Sequence, residues 1–353
     1  MKNFYPLEVS EIISLTNDSV CIHFDVSSVD NNIFSFVAGQ YITLQHSING
    51  EDVRRSYSIS CIPNQNKIEI GVKLVKNGLM STFLTKDLKV GDKINVMPPT
   101  GNFILSANNS NLKHYMAICA GSGITPALSM IQDVLHNEPN SSFTLLYGNK
   151  NRSSVMFMDD ILRLEKDFQS QFLTYYFFSR ENVQNCINGR INSSNLTTIF
   201  KDNESYKNID EFFICGPGEM IDTVSDFLRS MNIDSNKIQF ERFTSTTKTA
   251  DIKNDNVSEV KSNVSVCVDG DDFEFTLSSA GDSILDSAMD AGADVPFSCK
   301  GGVCCVCKAK LIEGTVSMDQ NFSLSQEEVE QGYILTCQSH PTSENVVVDF
   351  DEM

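Results

Sequence analysis

Apolar and polar side chains alternate in short runs through the first third of the chain: YITLQHSI, RRSYSIS, KIEIGVKLV and KINVMPP, separated by Gly, Asn and Asp. A period of two buries one face of a strand and leaves the other polar, and the closely spaced turn residues send the chain back antiparallel. Residues 1–108 are therefore expected to form a small antiparallel β-barrel. From residue 109 the texture changes. HYMAICAG, SFTLLYGN, LTYYFFSR and DEFFICGPG are short and nearly all apolar, and stretches of helical period such as PALSMIQDVLH, MFMDDILRLEKDF and GEMIDTVSDFLRSM lie between or after them. Strands buried on both faces that alternate with helices predict an α/β domain with a parallel sheet over residues 109–243. Residues 244–262, TSTTKTADIKNDNVSEVKS, are polar and poor in large apolar side chains, the composition of an interdomain tether. A third domain, 263–353, opens with VSVCVDG, a polar turn and DFEFTL. The chain is thus expected to be multidomain, with no internal repeat.

Composition narrows the function classes. The 353 residues, 41% hydrophobic, suffice for two or three domains that each bury a core. The net charge of −19 disfavours nucleic acid, whose phosphates need the opposite sign. Residues 263–353 hold 17 acidic and 3 basic side chains, so most of that charge sits in the last domain. An acidic electron carrier that meets a basic partner and ordinary solubility charge both account for it. No apolar run approaches the roughly 20 residues that span a bilayer. The N-terminal MKNFYPLEVSEIISL lacks the basic start and apolar core of a signal peptide. Outside one motif the cysteines are scattered singly in apolar stretches, as reduced thiols in a cytoplasmic protein are.

That motif is FSCKGGVCCVCKAKL, followed by ILTCQ. Cys299, Cys304 and Cys307 are spaced C-x4-C-x2-C, and Cys337 follows after 29 residues. This is the ligand spacing of a plant-type [2Fe–2S] cluster. Gly301 and Gly302 fall where side chains would collide with the cluster. Four thiolates also hold structural zinc, which more often takes two short C-x2-C pairs. Cys305 is an additional thiol between two of the candidate ligands.

Other motifs fall at expected strand ends. Arg55-Ser56-Tyr57-Ser58 offers a guanidinium for a pyrophosphate, a phenol ring to pack on a cofactor and a hydroxyl to hydrogen-bond near its reactive atoms. An exposed Arg and a buried Tyr on an ordinary strand would read the same way. Val72 and Lys73 close the strand GVK, and Gly78, Met80, Ser81 and Thr82 open a short helix whose free N–H groups suit a phosphate. Gly121, Gly123, Thr125 and Pro126 lie in AGSGITP, where proline replaces the last glycine of a dinucleotide fingerprint. A glycine turn before a helix still suits a pyrophosphate, and a purely structural strand–turn–helix connection would look the same. Cys215, Gly216 and Met220 lie in CGPGEM at the end of another strand, where ligands of open parallel sheets gather. Ser179 and Arg180, also at a strand end, suit the 2′-phosphate of NADPH, with Arg152 as a second cation, and a solvated surface arginine would read the same way.

In this order, R-x-Y-S, G-x-x-S-T, G-x-G-x-x-P, C-G-P and Glu241-Arg242-Phe243 resemble the ferredoxin–NADP reductase superfamily over roughly residues 5–243. A plant-type ferredoxin module follows, and CKGGVCCVCKAKL with the ending SHPTSENVVVDFDE is similar to the reductase subunits of phenylacetyl-CoA 1,2-epoxidases. The resemblance implies an FAD-binding barrel, an NAD(P)-binding domain and a β-grasp (α+β) ferredoxin domain. It implies Arg55, Tyr57 and Ser58 at the flavin, Ser81 and Thr82 at its pyrophosphate, Thr125 at the flavin–nicotinamide junction and Cys215 beside the hydride-donating carbon. Glu241 would orient that region, and Phe243 would pack near the flavin although the chain continues beyond it. Ser58, Cys215 and Glu241 are the catalytic candidates. The expected reaction is an NADPH-dependent reduction, through FAD and [2Fe–2S], of a protein electron acceptor, a multisubunit di-iron oxygenase of phenylacetate catabolism. A di-iron site would need clustered carboxylates with Glu-x-x-His pairs, and the sequence has none. The alternatives are an NADH-dependent reductase of another acceptor, such as a hybrid-cluster protein or a ring-hydroxylating oxygenase, and a redox-sensing binding module.

Overall fold

The computed structural model describes residues 4–30, 32–63, 66–243 and 260–352. They divide into two compact units, one spanning Phe4–Pro99 and Phe103–Phe243, the other holding the C-terminal part of the chain.

The first unit begins with β1 (Tyr5–Thr16), β2 (Ser19–Asp25), β3 (Tyr41–Ile48), β4 (Glu51–Ser58) and β5 (Lys67–Lys73). A short helix α1 (Leu79–Thr82) and one wider turn over Phe83–Asp87 then lead to β6 (Lys93–Thr100). The strands run in the order β4-β3-β6-β1-β2-β5. The β1–β2, β1–β6, β2–β5 and β3–β4 pairs are antiparallel. A bridge from Ile59, just past β4, to Ile70 of β5 closes the barrel. The alternation seen in the sequence points Leu7, Ile22, Ile42 and Val72 inward, all fully buried.

The second half of this unit is the parallel sheet: β7 (His114–Ala120), α2 (Ile124–Asn137), β8 (Ser142–Asn149), α3 (Met158–Asp167), β9 (Phe172–Phe178), β10 (Ile187–Asn188), α4 (Ser193–Asp202), β11 (Glu211–Gly216), α5 (Gly218–Ser230) and β12 (Ile238–Arg242). Their order is β10-β9-β8-β7-β11-β12. Successive residues of β7 serve opposite faces. Tyr115, Ala117 and Cys119 pack with α2 and α3, whereas Met116 and Ile118 pack with α4 and α5. That is why the strand reads as one apolar run. The edge strands β10 and β12 have no such run and leave no signature in the hydrophobic pattern.

α2 also fastens the sheet to the barrel. Ser129 Oγ donates to Cys61 O at 2.6 Å and Gln132 Nε2 to Ser60 O at 2.9 Å. A Cβ on Gly71 of β5 would come within 2.7 Å of both the Thr125 methyl and the Phe157 ring, so glycine permits this close approach.

The C-terminal unit contains β13 (Lys261–Val268), β14 (Asp271–Ser278), α6 (Ile284–Asp290), β15 (Lys308–Glu313), β16 (Val316–Met318), α7 (Gln326–Glu330), β17 (Tyr333–Leu335), β18 (Ser339–Pro341) and β19 (Asn345–Asp349). A mixed sheet in the order β14-β13-β19-β15-β17 carries the unit, with β13 and β19 parallel, and β16 pairs with β18. The cysteine loop runs from α6 to β15. Of the segment expected to be a tether, 244–259 lies outside the described residues, and Lys261 and Ser262 already belong to β13. Among the described residues no helix is long and apolar enough to cross a membrane.

Candidate active site and cluster loop

The strand order sets the first site. β7 and β11 are neighbours, but the chain leaves β7 for α2 on one face and β11 for α5 on the other. Diverging connections open a crevice at the carboxyl ends of the two strands. The turn Gly121–Gly123 enters it from β7 and Cys215-Gly216 from β11. At Gly123 φ is −63°, which any residue adopts, yet a Cβ there would overlap the carbonyl oxygen of Cys215. Gly121 has φ +56°, and a Cβ on it would meet nothing within 4 Å, so the turn faces open space. A bare glycine turn before a helix at this position fits a dinucleotide. Thr125 is buried and its Oγ1 donates to Ser122 O at 3.0 Å, which fixes the turn. Pro126 is buried in the first turn of α2. Met220 is buried, and its methyl comes within 2.7 Å of where a Cβ on Gly216 would stand.

Register places Glu241 of β12 beside Cys215. From the barrel, Ser58 Oγ donates to Glu241 Oε2 at 3.1 Å, so Ser58, Glu241 and Cys215 meet where the barrel adjoins the crevice. Burial raises the Glu241 carboxyl to about 8, against the smaller opposing effect of the Ser58 hydrogen bond. It keeps some exposed surface while protein crowds it, as a group that lines a recess does. Burial pushes the Cys215 thiol well up, and the carboxyl of Glu241 adds to this. A neutral thiol beside a largely protonated carboxyl is an uncharged surface at neutral pH.

The remaining candidates spread out from this point. Arg55 is exposed and its Nη1 donates to Arg54 O. Tyr57 is half-buried, with its phenol pushed up by burial, and Ser56 shares a 3.0 Å hydrogen bond with Thr43. A cation, a ring and a hydroxyl along one barrel strand fit a flavin nucleotide. Val72 and Met80 place their side chains in the barrel core, so those positions can offer a ligand only main chain. Lys73 faces Asp18 at 3.6 Å. Ser81 Oγ accepts from Val75 N at 3.1 Å and Thr82 Oγ1 donates to Gly78 O at 2.6 Å, so both hydroxyls brace the turn. Phe243 follows β12 and is 39% exposed. Ser179 and the exposed Arg180 stand at the end of β9, and Arg152 follows β8 with its N–H donating to Glu181 Oε2 at 2.7 Å. Sequence reasoning missed Gly71, Ser129, Gln132 and Glu181. Each acts through contacts between segments distant in the chain.

In the C-terminal unit the four cysteines converge. Cys304 Sγ is 3.1 Å from Cys299 Sγ, and Gly301 N donates to Cys299 Sγ at 3.3 Å. Thiol hydrogen bonds from Cys304 and Cys337 hold Cys299 below the usual thiol range, and one from Cys337 does the same for Cys307. Their donors are pushed up in turn. Cys337 is within thiol hydrogen-bonding reach of both Cys299 and Cys307, so the four sulfurs form one connected group, and with the C-x4-C-x2-C spacing it fits a [2Fe–2S] cluster. The backbone is held from outside: Thr336 Oγ1 donates to Cys307 O at 3.0 Å, Ser323 Oγ to Cys304 O at 2.9 Å and Gln338 Nε2 to Cys337 O at 2.7 Å. Gly302 adopts φ +71°, with a Cβ position 2.9 Å from Gln320 O, so glycine is required here by backbone and packing as well as by any cluster. Cys305 is buried in the same loop, and all eleven cysteines are free of disulfides.

An antiparallel barrel, a parallel sheet with a glycine turn at its switch point, and four converging thiols at plant-type spacing define a flavin- and iron–sulfur-dependent pyridine-nucleotide oxidoreductase. Family profiles agree: an oxidoreductase FAD-binding domain matches residues 6–104, an oxidoreductase NAD-binding domain 117–226 and a 2Fe-2S iron-sulfur cluster binding domain 266–342. The chain belongs to the same family as a subunit of the 1,2-phenylacetyl-CoA epoxidase of Escherichia coli (strain K12), to which it is 37% identical over 99% of each chain. The ferredoxin reductase component of 3-ketosteroid-9-alpha-monooxygenase from Rhodococcus rhodochrous is 28% identical, with 98% of this chain and 96% of the relative covered. Phthalate dioxygenase reductase, solved as a modular structure for electron transfer from pyridine nucleotides to [2Fe-2S], shares the fold at a TM-score of 0.61, with 24% identity and 98% of each chain covered.

Proposed function

We propose that the chain is the electron-donating component of an oxygenase that acts on phenylacetyl-CoA, and that it draws its electrons from NADPH. The observation that carries this reading is the 37% identity to the Escherichia coli epoxidase component, which runs through all three domains. The domain limits 1–108, 109–243 and 263–353 belong to the same reading.

When bound, the flavin accepts two electrons with a hydride from the nicotinamide and releases them singly, and the cluster carries one at a time. The protein's part is position and electrostatics. Arg55, Ser56, Tyr57 and Ser58 line the flavin along one strand, with the main chain of Val72, Lys73, Gly78 and Met80–Thr82 towards its phosphates. Gly121, Gly123, Thr125 and Pro126 present the start of α2 to the dinucleotide, and Gly216 and Met220 shape the opposite wall. Cys215 stands beside the nicotinamide, while Glu241, fixed by Ser58, orients that edge. Phe243 would pack near the flavin. Ser179, Arg180 and Arg152 hold the 2′-phosphate. Cys299, Cys304, Cys307 and Cys337 hold the two irons.

Glu181 favours a second reading of the coenzyme. Its carboxylate accepts the Arg152 N–H beside the same strand ends and would repel a 2′-phosphate, as an NADH enzyme requires. Anaerobic stopped-flow mixing of the holoprotein with NADPH and, separately, NADH decides between them. Faster flavin bleaching by NADPH, followed by cluster bleaching, is the expected result. Preference for NADH overturns the coenzyme assignment. Failure of both nucleotides overturns the reductase reading and leaves a redox-sensing module. Oxygenation of phenylacetyl-CoA by the reduced chain mixed with its oxygenase tests the acceptor.

A further inference from the structure

The outer face of the barrel carries a second group of metal-ligating side chains, distinct from both sites above. Register across β1, β2 and β5 sets Glu11 opposite His23, and His23 opposite Glu69. Cys21 lies two residues before His23, on the same face of β2, where it is buried beside Gly71 of β5. A sulfur of Cys21, a ring nitrogen of His23 and a carboxylate oxygen of Glu69 all lie within 4.8 Å of one another. His23 Nδ1 is 3.0 Å from Glu11 Oε2, and His23 Nε2 is 3.7 Å from Glu69 Oε1.

We propose that Cys21, His23 and Glu69 form a binding site for a borderline-soft divalent cation of the zinc class, with Glu11 fixing the imidazole. The donor set is one sulfur, one nitrogen and one oxygen, a mixture that suits zinc and not the hard, all-oxygen cations magnesium and calcium. Glu11 supplies the outer partner that metal-bound histidines take: it holds the Nδ1 proton and leaves the Nε2 lone pair turned towards Glu69. Zinc ligands stand within roughly 4 Å of one another, so only a small contraction is needed. Cys21 and His23 are 3% and 7% exposed, whereas the side chains of Glu69 and Glu11 are 18% and 58% exposed. An ion can thus enter from the carboxylate side and keep a water as its fourth ligand. Lys67 pairs with Glu69 and is itself half-exposed. It can swing into solvent as the dication takes its place. The bound ion ties β2 to β5, and its effect falls on the stability of the barrel.

The test uses the full chain with FAD and cluster in place, titrated with zinc ion alone. Zinc-edge X-ray absorption should show one ion per chain with one sulfur and the rest nitrogen or oxygen in its first shell, and the thermal midpoint should rise. A four-sulfur shell would place the zinc in the cluster loop and overturn the proposal, as would a shell without sulfur or no uptake at micromolar zinc. Cys21→Ser should remove the sulfur scattering. Glu11→Gln touches no proposed ligand atom and should weaken zinc binding about tenfold or more with iron and flavin content unchanged. Unchanged affinity in that variant would remove Glu11 from the site.

Discussion

Glu241 shows how a single buried carboxyl can set a pH response. Burial lifts it from 4.5 to about 8, and the Ser58 hydroxyl, which favours the ionised form, holds it from rising further. Below about pH 8 the group keeps its proton, and above it a negative charge appears beside Cys215. The rate of flavin reduction by nicotinamide should therefore change through an ionisation near pH 8. Glutamine mimics the protonated form, so Glu241→Gln should flatten that profile in stopped-flow measurements from about pH 6 to 10. Ser58→Ala removes the hydrogen bond that opposes burial, so the transition should move to higher pH. A transition that stays in Glu241→Gln would assign it to another group. Gly123 makes a purely steric point at the same scale. Its dihedrals suit any residue, but its missing Cβ leaves room for the Cys215 carbonyl. Backbone on both sides leaves little to relax, so Gly123→Ala should destabilise the first unit by about 1–3 kcal/mol in urea unfolding, the usual range for an overpacked core.

The cluster loop is an element without helix or strand, and hydrogen bonds replace regular structure in holding it. Gly302 supplies a left-handed turn against Gln320 O, and Gln338 Nε2 reaches Lys300 O at 3.3 Å and Cys337 Sγ at 3.6 Å. Gly302→Ala should lower the iron content per chain, read by metal analysis and visible absorbance, while flavin content is retained. Gln338→Ala removes an N–H that faces a ligand sulfur. Donors to sulfur stabilise the more negative, reduced cluster, so the midpoint potential should fall in a spectroelectrochemical titration. The elements legible in the sequence were those with a hydrophobic period: the inward alternation of Ile22 and Ile42, and the doubly buried β7. The thiol spacing was legible too, because the cluster ligands are mostly local in the chain. What the sequence concealed is non-local. The two-residue β10 and five-residue β12 have no period to read. Ser129 and Gln132 look like ordinary helix positions until the barrel carbonyls of Cys61 and Ser60 are brought to them. Even the meeting of Ser58 with Glu241 joins residues 183 apart, and only the motif order hinted at it.

At the scale of the whole molecule, charge is divided unevenly. All three lysines of residues 263–353 are engaged within their own unit: Lys300 with Asp286, Lys308 with Glu328, and Lys310 with the Gln331 carbonyl. The 17 acidic groups there leave a net −14, a field that would attract a basic acceptor and weaken as salt is added. Residues 244–259, rich in small polar side chains, join this unit to the rest of the chain. The two features predict separable kinetics. Raising salt from 0.05 to 0.5 M should slow electron delivery to the oxygenase several-fold, because the Debye length shrinks from about 14 to about 4 Å, and should leave flavin-to-cluster transfer within one chain nearly unchanged. Deleting about half of 244–259 acts on the other side of this division. If the tether lets the cluster serve flavin and acceptor in two poses, the deletion should slow delivery at every salt concentration while reduction of the flavin by NADPH proceeds as before. Equal delivery rates in the shortened and full-length chains would mean that one pose serves both transfers.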